Sequence, residues 1–286
     1  MPGTLFLVAT PIGHLEDITV RALRVLREVA LIAAEDTRRT AGLLAHYGIA
    51  TPQVSFHEHN ERTRIPELLA RLRRGDSIAL VSDAGTPLVS DPGHALVRAA
   101  REAGIRVEAI PGPSAILAAL VSSGLAAETF TFLGFPPAGR RQRERWLAAL
   151  AAEPHPVVFF EAPHRLRATL AAAALVLGDR PMALAREMTK VHEEVLVGTA
   201  AELAARLREP RGEFTIVVGA PANEPAGTAG PLDETALWQS FCDLTDRQGL
   251  SRREAIAALA RRHGRPAREI YAALERGRAE AEAARR

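Results

Sequence analysis

Hydrophobic and polar positions alternate between two rhythms along the first 110 residues. Short apolar runs predict strands, and a stretch with helical spacing of its apolar residues follows all but the last of them. The predicted strands are Leu5–Ala9, Leu31–Ala34, Val54–Phe56, Ser77–Val81 and Arg106–Ile110. The predicted helices are Ile18–Val29, Thr37–Tyr47, Glu61–Arg74 and Ala95–Ala103. This alternation is typical of a mostly parallel sheet with helices on both faces.

The rhythm changes in the second half of the chain. Apolar runs there predict strands at Thr129–Leu133, Pro156–Phe160, Met182–Glu187, Val191–Val197 and Phe214–Val218. Helical spacing predicts helices at Ala115–Val121, Arg140–Ala152 and Arg165–Leu177. The strands that begin at Met182 and Val191 are close enough in sequence to pair antiparallel, which favours a mixed second sheet. We therefore predict an α/β protein with two domains, at residues 1–113 and 114–220.

The C-terminal segment differs in composition from the body of the chain. Residues 221–231 are rich in Ala, Pro and Gly and predict a flexible linker. Residues 232–286 predict a small helical appendage, with a capping box at Ser251 and Glu254. From residue 247 onward there are 11 Arg against 5 Glu. This basic appendage suits a polyanionic partner, unless its arginines only solvate a helical face.

The composition excludes several classes of protein. A chain of 286 residues, 47% hydrophobic and 24% charged, is long enough for two cores and typical of globular proteins. Its longest apolar runs are too short to span a bilayer, and residues 1–8 lack the basic start of a secretory signal. The single cysteine, Cys242, excludes an intrachain disulfide and a cysteine-rich metal site. We predict a cytoplasmic protein without membrane contact.

Three predicted loops share a high content of Gly, Pro and small polar residues. They are Thr10–Gly13, residues 81–93 and Pro111–Ser114, and each follows a predicted strand. Because the carboxyl ends of parallel strands lie at one edge of a sheet, we expect these loops to form one ligand pocket rather than three unrelated turns. The Gly-rich signatures of dinucleotide and triphosphate sites are absent from the sequence. A ligand with little or no phosphate is therefore predicted.

Ionisable residues also cluster after predicted strands. Glu35–Arg39 places two carboxylates beside two guanidinium groups, although Asp36 or Thr37 could simply cap the next helix. His57–Glu61 places two histidines on an extended segment, which suits a metal, a proton or substrate contact, or a plain surface loop. In the second half, charged turns occur at residues 159–165, 186–190 and 211–214. These turns form either structural ion pairs or one side of a cleft that faces the first domain.

Taken in order, these motifs resemble those of the tetrapyrrole methylases, which use S-adenosylmethionine. The segments that carry the resemblance cover residues 4–219 and read LFLVATPIGHLEDIT, LIAAEDTRRT, FHEHNE, ALVSDAGTPLVSDPG, IPGPSA, FFEAPHRL, AREMTK and RGEFTIVV. Within this superfamily the chain is most similar to the bacterial enzymes that methylate a ribose 2'-hydroxyl of small-subunit ribosomal RNA. His14 departs from the family pattern, which most often has Asn there, and the Phe160–Pro163 segment stands where Tyr-Glu-Ser-Pro is common.

The resemblance implies methyl transfer from S-adenosylmethionine to a cytidine of 16S rRNA near the decoding site. It also implies a homodimer, 16S rRNA or the small ribosomal subunit as partner, no metal, and a cofactor held between the two domains. The cofactor residues carried over to this sequence are Pro11, Asp83, Gly85, Thr86, Pro87, Ser114, Ala185 and Gly212. The candidate RNA contacts are Arg38, His59, Asn60, Arg165, Arg186, Arg252, Arg253, Arg261 and Arg262.

The chemistry of such a transfer limits the catalytic candidates. A ribose hydroxyl is a poor nucleophile that needs a proton acceptor or a charged neighbour, while positioning supplies much of the remaining rate. The candidate catalytic residues are Glu35, Asp36, His57, Glu187 and Lys190. Lys190 is the single lysine of the chain. It acts either as a neutral base, if its pKa is lowered, or as a cation that holds the hydroxyl or a phosphate, which we favour.

Two other functions stay open at this point. A precorrin-type tetrapyrrole C-methyltransferase has the same fold, but it needs an open, arginine-lined trough and no RNA-binding appendage. A non-catalytic RNA-binding assembly factor would leave the polar clusters at the strand ends without a role.

Overall fold

The computed structural model describes residues 1–207, 210–221, 234–247, 251–252, 255–256, 259 and 267–283. The chain divides into two compact units, Met1–Pro221 and Ala222–Arg286. Both β-sheets lie in the first unit, and the described part of the second is helical.

The first sheet confirms the predicted parallel domain. Its strands are β1 (Thr4–Val8), β2 (Leu31–Ala34), β3 (Gln53–Ser55), β4 (Ile78–Val81) and β5 (Arg106–Ile110). They lie in the order β3-β2-β4-β1-β5, and every neighbouring pair is parallel. The connecting helices are α1 (Val20–Glu28), α2 (Thr37–His46), α3 (Glu61–Arg73) and α4 (His94–Glu102). Because hydrophobic clusters cover both faces, every residue of β2 and β4 is buried.

The second sheet is mixed, as predicted. Its strands are β6 (Thr131–Phe132), β7 (Val157–Glu161), β8 (Met182–Arg186), β9 (Glu194–Gly198) and β10 (Phe214–Val218). They lie in the order β6-β7-β10-β8-β9, with one parallel pair, β6 and β7, and antiparallel pairs elsewhere. The helices of this half are α5 (Ala115–Ser122), α6 (Arg140–Ala151), α7 (Pro163–Leu177) and α8 (Ala200–Arg206). The expected antiparallel pairing of β8 and β9 is present.

Helix α8 is absent from the sequence-based prediction. Its seven residues are too few to show a clear helical period of apolar positions. The readable signal was its capping box: the Thr199 hydroxyl accepts a hydrogen bond from the Glu202 N–H at 3.3 Å, and the Glu202 carboxylate accepts one from the Thr199 N–H at 2.8 Å. The predicted domain boundary falls between β5 and α5 and stays a prediction.

The second unit contains helices α9 (Glu234–Cys242) and α10 (Ala267–Ala283). Their apolar faces pack around Leu237, Phe241 and Ile270, and Arg276 pairs with Glu234 at 2.7 Å. Most of the predicted linker lies outside the described residues, and so does Glu254 of the predicted capping box. In the part of the chain that the structure describes, no helix is both long and apolar enough to cross a membrane.

Candidate cofactor and substrate site

The three Gly- and Pro-rich loops meet at the carboxyl edge of the first sheet. The Thr10 N–H donates to the Gly85 carbonyl at 2.9 Å, and the Gly85 N–H donates back to the Thr10 carbonyl at 3.0 Å. The Thr86 hydroxyl donates a hydrogen bond to the Pro113 carbonyl oxygen at 3.4 Å. Gly85 has a φ of 78°, a conformation that favours glycine. The expected convergence of the three loops is therefore confirmed.

A first cavity of about 310 Å³ lies beside these loops. Both halves of the unit contribute to it, and its apolar lining includes Ile12, Ile116 and Phe160. Five of the predicted cofactor residues line it, namely Asp83, Gly85, Thr86, Ser114 and Gly212. Pro11 lines a neighbouring cavity. Ala185 is fully buried on β8 and pairs with Thr215, which lines the first cavity. Pro87 is the residue after Thr86 in the loop that follows β4, and it does not itself line this cavity.

The second cavity, of about 380 Å³, contains Lys190. The Lys190 ammonium donates to Glu187 Oε1 at 2.9 Å and to Glu213 Oε2 at 3.0 Å. Burial by itself lowers the pKa of Lys190, but the hydrogen bonds and charges of the two carboxylates outweigh it and raise this pKa above its ordinary value. Lys190 is therefore a cation at neutral pH, which favours the second of the two roles expected for it.

Glu187 is held by the same cluster. Its Oε1 also accepts a hydrogen bond from the Glu213 N–H at 2.9 Å. Burial by itself raises the pKa of Glu187, but the hydrogen bonds from Lys190 and the Glu213 N–H, with the charges of Lys190 and Arg186, outweigh it and hold this pKa below its ordinary value. Glu187 is thus a carboxylate at neutral pH. Its candidate role as a catalytic residue stays a prediction.

The loop that carries Lys190 is strained and closely packed. Within the described residues, the non-glycine residues with positive φ are Leu88, Ser90, Glu187 and Thr189, all in loops beside the cavities. Such strain persists where the surrounding structure fixes it, often at functional sites. A Cβ atom on Gly13 would lie 2.5 Å from the Lys190 Cγ. The loop after β1 and the loop after β8 are therefore in direct contact.

A third cavity, of about 460 Å³, contains His57 and His59. The ring centroids of the two histidines are 5.9 Å apart. Asn60 fixes their turn, because its side chain accepts from the His57 N–H at 2.9 Å and donates to the Ser55 carbonyl at 3.1 Å. Asn60 therefore has a clear structural role, and its candidate contact with RNA stays a prediction. Among the described residues, no group of three His, Cys, Asp or Glu is placed to hold a metal ion.

Asp83 joins the loops that follow β2 and β4. Its Oδ1 accepts from the Asp36 N–H at 3.0 Å, and its own N–H donates to Glu35 Oε2 at 3.2 Å. Its Oδ2 lies 3.4 Å from Nη1 of Arg39. Burial raises the pKa of Glu35, and the hydrogen bond from Asp83 opposes this only in part. The raised pKa makes Glu35 a stronger proton acceptor than an ordinary glutamate, and its candidate catalytic role stays a prediction.

Asp36 is the N-cap of α2. Its Oδ1 accepts from the Arg38 N–H at 2.8 Å, and its carboxylate also pairs with the Arg38 guanidinium at 2.7 Å. The hydrogen bonds from Arg38 hold the pKa of Asp36 well below its ordinary value. This geometry matches the capping alternative, and a carboxylate of such low pKa is a weak proton acceptor.

The candidate RNA-binding arginines differ in their surroundings. Arg165 pairs with the buried Glu161 at 3.2 Å and donates to the carbonyls of Pro136 and Pro137. The Arg186 Nε donates to a backbone carbonyl at 2.9 Å, and Arg252 pairs with a glutamate of α10. The remaining three candidates, Arg253, Arg261 and Arg262, lie outside the described residues.

Asp91 and Glu213 were not assigned roles by the sequence, although both stand in motifs that it singled out. Asp91 lines both the first and the third cavity. Burial, with the charges of Glu35 and Asp83, raises the pKa of Asp91 to about 6, against a hydrogen bond from Ser82 that lowers it. The available signal was the repeat of Ser-Asp in the loop at 82–83 and 90–91.

Comparison with known proteins agrees with this arrangement. The family model described as Tetrapyrrole (Corrin/Porphyrin) Methylases matches residues 4–204. A relative from Synechocystis named ribosomal RNA small subunit methyltransferase I is 47% identical over 274 residues, which are 94% of this chain and 96% of that protein. A relative of the same name from Xylella fastidiosa is 51% identical over 230 residues, or 79% of this chain and 84% of that one.

The fold also has a counterpart among solved structures. Uroporphyrin-III C-methyltransferase from Thermus thermophilus, complexed with S-adenosylhomocysteine, matches with a TM-score of 0.55 at 21% identity, over 76% of this chain and 97% of that one. The shared architecture, the colinear motifs and the high identity to the curated relatives lead to one conclusion. This chain belongs to the tetrapyrrole methylase family, in the group named ribosomal RNA small subunit methyltransferase I.

Proposed function

We propose that this protein transfers a methyl group from S-adenosylmethionine to the ribose 2'-hydroxyl of a cytidine in 16S rRNA near the decoding site. The near full-length match to relatives named for methylating small-subunit ribosomal RNA carries this proposal. The choice of the 2'-hydroxyl and of cytidine rests on the resemblance of the motifs.

The first cavity fits the cofactor. S-adenosylmethionine has no phosphate, and the three converging loops contain none of the Gly-rich phosphate signatures. An apolar lining with carboxylates at its edge suits an adenosyl group and a sulfonium cation. When bound, the cofactor supplies an electrophilic methyl group. Asp83, Gly85, Thr86, Ser114 and Gly212 would hold it, with Pro11, Pro87 and Ala185 in supporting positions.

The second cavity provides the charge that a ribose acceptor needs. Lys190, held as a cation by Glu187 and Glu213, orients the 2'-hydroxyl or an adjacent phosphate. As the hydroxyl oxygen bonds to the methyl carbon, its proton passes to a nearby acceptor, while the sulfur keeps the electrons of the broken bond. Glu35 fits this acceptor best among the candidates because burial raises its pKa. His57 and Glu187 are the further candidates, and Asp36 fits least.

The partners follow from the same proposal. The substrate is 16S rRNA, free or within the small subunit, and the basic appendage adds salt-dependent affinity for its phosphates. A ribosomal substrate implies a cytoplasmic location. Helix α5 exposes Leu117 and Val121, one helical turn apart, by 52% and 71%. This apolar strip supports a homodimer.

Transfer assays with labelled S-adenosylmethionine test the proposal against its alternatives. The acceptors are small ribosomal subunits, naked 16S rRNA and a precorrin. We expect label on RNA and none on the macrocycle. Label on the macrocycle alone would identify a tetrapyrrole methyltransferase, and cofactor binding without any transfer would identify an assembly factor.

A further inference from the structure

The third cavity adjoins the first. Glu35, Ser90 and Asp91 line both cavities, so a group that fills the third reaches the edge of the proposed cofactor site. Its volume of about 460 Å³ lies within the range of small-molecule sites. The cavity is therefore large enough for part of the acceptor and lies beside the proposed cofactor site.

Two residues that line this cavity each have one buried polar atom without a partner. The His57 Nδ1 and the Glu61 Oε1 are inaccessible to solvent and make no hydrogen bond. An unsatisfied buried polar group costs about 1–3 kcal/mol, so most such groups in proteins are paired. The turn that carries them is fixed by the hydrogen bonds of Asn60. Rotation of the two side chains toward the cavity would let a bound ligand supply a partner to both atoms.

The charges of the third cavity select the kind of ligand. Four carboxylates line it, from Glu35, Glu58, Glu61 and Asp91, together with two histidines. None of the described residues that line it is Arg or Lys. Carboxylates repel a phosphate and accept hydrogen bonds from N–H and O–H groups. The cavity therefore suits a neutral group rich in donors. The second cavity differs, because it contains the cations Arg39 and Lys190 beside the carboxylates of Asp83 and Glu213.

Nucleobases differ in the donors that they present. Cytosine carries an amino group next to a ring-nitrogen acceptor, and carboxylates in proteins accept from this amino group. Uracil carries a carbonyl oxygen at the same position, which a carboxylate repels. An unpaired glutamate oxygen beside a histidine matches the cytosine edge, with the glutamate accepting from the amino group and the imidazole N–H donating to the ring.

We propose that the third cavity holds the nucleobase of the acceptor nucleotide, and that Glu61 and His57 make the enzyme prefer cytosine to uracil. This inference rests on the proposed function. Single-stranded RNA is commonly recognised with its bases splayed out of the stack and bonded along their edges.

The test uses small subunits reconstituted with transcribed 16S rRNA. The acceptor is first located with the wild-type enzyme, and a second transcript carries uridine at that position. We expect wild-type kcat/KM to fall by about 10- to 100-fold on the uridine transcript. Glu61→Gln, whose amide N–H can donate to the uracil carbonyl, is expected to remove most of this preference. Glu102→Gln, an exposed change on α4, is the matched control and should retain it.

Each outcome bears on one proposal. Equal kcat/KM for the two transcripts with the wild type, or undiminished preference in Glu61→Gln, would overturn the inference. A Glu61→Gln protein that no longer binds S-adenosylhomocysteine would also count against it, because Glu61 would then support the cofactor. His57→Asn gives a second variant with the same expected loss of preference. Failure of the wild type to methylate any RNA refutes the proposed function instead, and ligand-detected NMR of cytidine against uridine then decides the inference.

Discussion

The carboxylate of Asp83 accepts a hydrogen bond from the backbone N–H of Asp36 at 3.0 Å. This contact ties the loop after β4 to the start of α2. It also fixes the side chain that lines both the first and the second cavity. The shape of the proposed cofactor site therefore depends on one side chain that bridges two strand ends.

Replacing Asp83 with alanine should weaken cofactor binding. The change leaves the Asp36 N–H without its acceptor and removes the partner of Arg39. The loss of one charge-assisted hydrogen bond corresponds to about a tenfold higher Kd for S-adenosylmethionine. Calorimetric titration measures it. Asp76→Ala is the control, because Asp76 pairs with Arg71 in a turn and lines none of the three cavities. An equal Kd for both variants would contradict the assignment.

Replacing Lys190 with alanine should abolish catalysis without loss of the cofactor. Lys190 lines the second cavity and not the first. We expect kcat to fall by about 100-fold or more, as for other groups that stabilise a reacting centre, while the Kd for S-adenosylmethionine changes by less than about threefold. Arg24→Ala, which breaks an exposed ion pair on α1, should change neither value. Unchanged turnover in Lys190→Ala would remove this residue from the reaction.

A methyl group added at Gly13, in the loop after β1, should displace the loop after β8 that carries Lys190. Its Cβ would lie 2.6 Å from the Thr189 Oγ1 and 2.8 Å from the Met188 carbonyl oxygen. We expect Gly13→Ala to lower the free energy of unfolding by about 1–3 kcal/mol and to lower kcat. Gly42→Ala on α2 meets no atom within 4 Å and should be neutral or slightly stabilising. Denaturant unfolding compares the two variants, and equal stabilities would contradict the close contact.

Asp91 should make stability depend on pH. Its pKa of about 6 in the folded protein lies above its ordinary value of 3.8. The contribution of the neutral form is therefore complete below pH 3.8 and is lost as the pH rises through 6. We expect Asp91→Asn to be more stable than wild type by about 1 kcal/mol at pH 8, after discounting for solvent screening, and the gain should vanish near pH 4.

Urea unfolding across this pH range measures the effect of Asp91→Asn. Asp179→Asn, an exposed change in the turn after α7, should show no such trend. A gain that is constant with pH, or largest in acid, would contradict the raised pKa of Asp91.

Arg165 should matter for folding more than for RNA binding. Glu161 is 2% exposed, and Arg165 is its ion-pair partner. Arg165→Met leaves this buried carboxylate without a cation and should lower the free energy of unfolding by about 3 kcal/mol. Arg140→Met breaks an exposed pair and should cost less than about 1 kcal/mol. Similar losses of stability for the two variants in thermal unfolding would show that the buried ion pair stabilises the fold no more than the exposed one.

The sequence predicts the fold well where local patterns decide it. Strands β2, β5 and β10 have the predicted bounds. β2 and β10 are short, largely apolar runs, whereas β5 alternates polar and apolar residues. Gly48, Gly75 and Gly104 follow the ends of α2, α3 and α4, and all three have positive φ. Position in a parallel sheet also brings the three ligand loops together, since their strands share one direction.

The fine structure of the site depends on contacts that no local pattern contains. The role of Glu213 follows from its distance to Lys190, 23 residues away in the chain, across paired strands. The sequence offered a cap at Asp36 and an ion pair in the turn that contains Arg165 as alternatives, and only the placed partners decided in their favour. The pKa of Asp91 is raised by burial and by the charges of Glu35 and Asp83. Glu35 belongs to the loop after β2, and Asp83 lies eight residues before Asp91 in the loop after β4. These contacts between distant residues explain why the sequence identified the charged residues of the site but did not assign a role to each of them.

The position of the transferred methyl group tests the central claim most directly. Small ribosomal subunits are incubated with the protein and S-adenosylmethionine labelled in its methyl group, and the rRNA is then hydrolysed in alkali. Because a 2'-O-methyl group blocks cleavage of the following phosphodiester, the account predicts all label in an alkali-resistant dinucleotide that yields 2'-O-methylcytidine. Label on a base in mononucleotides, or in a tetrapyrrole but never in RNA, would contradict it.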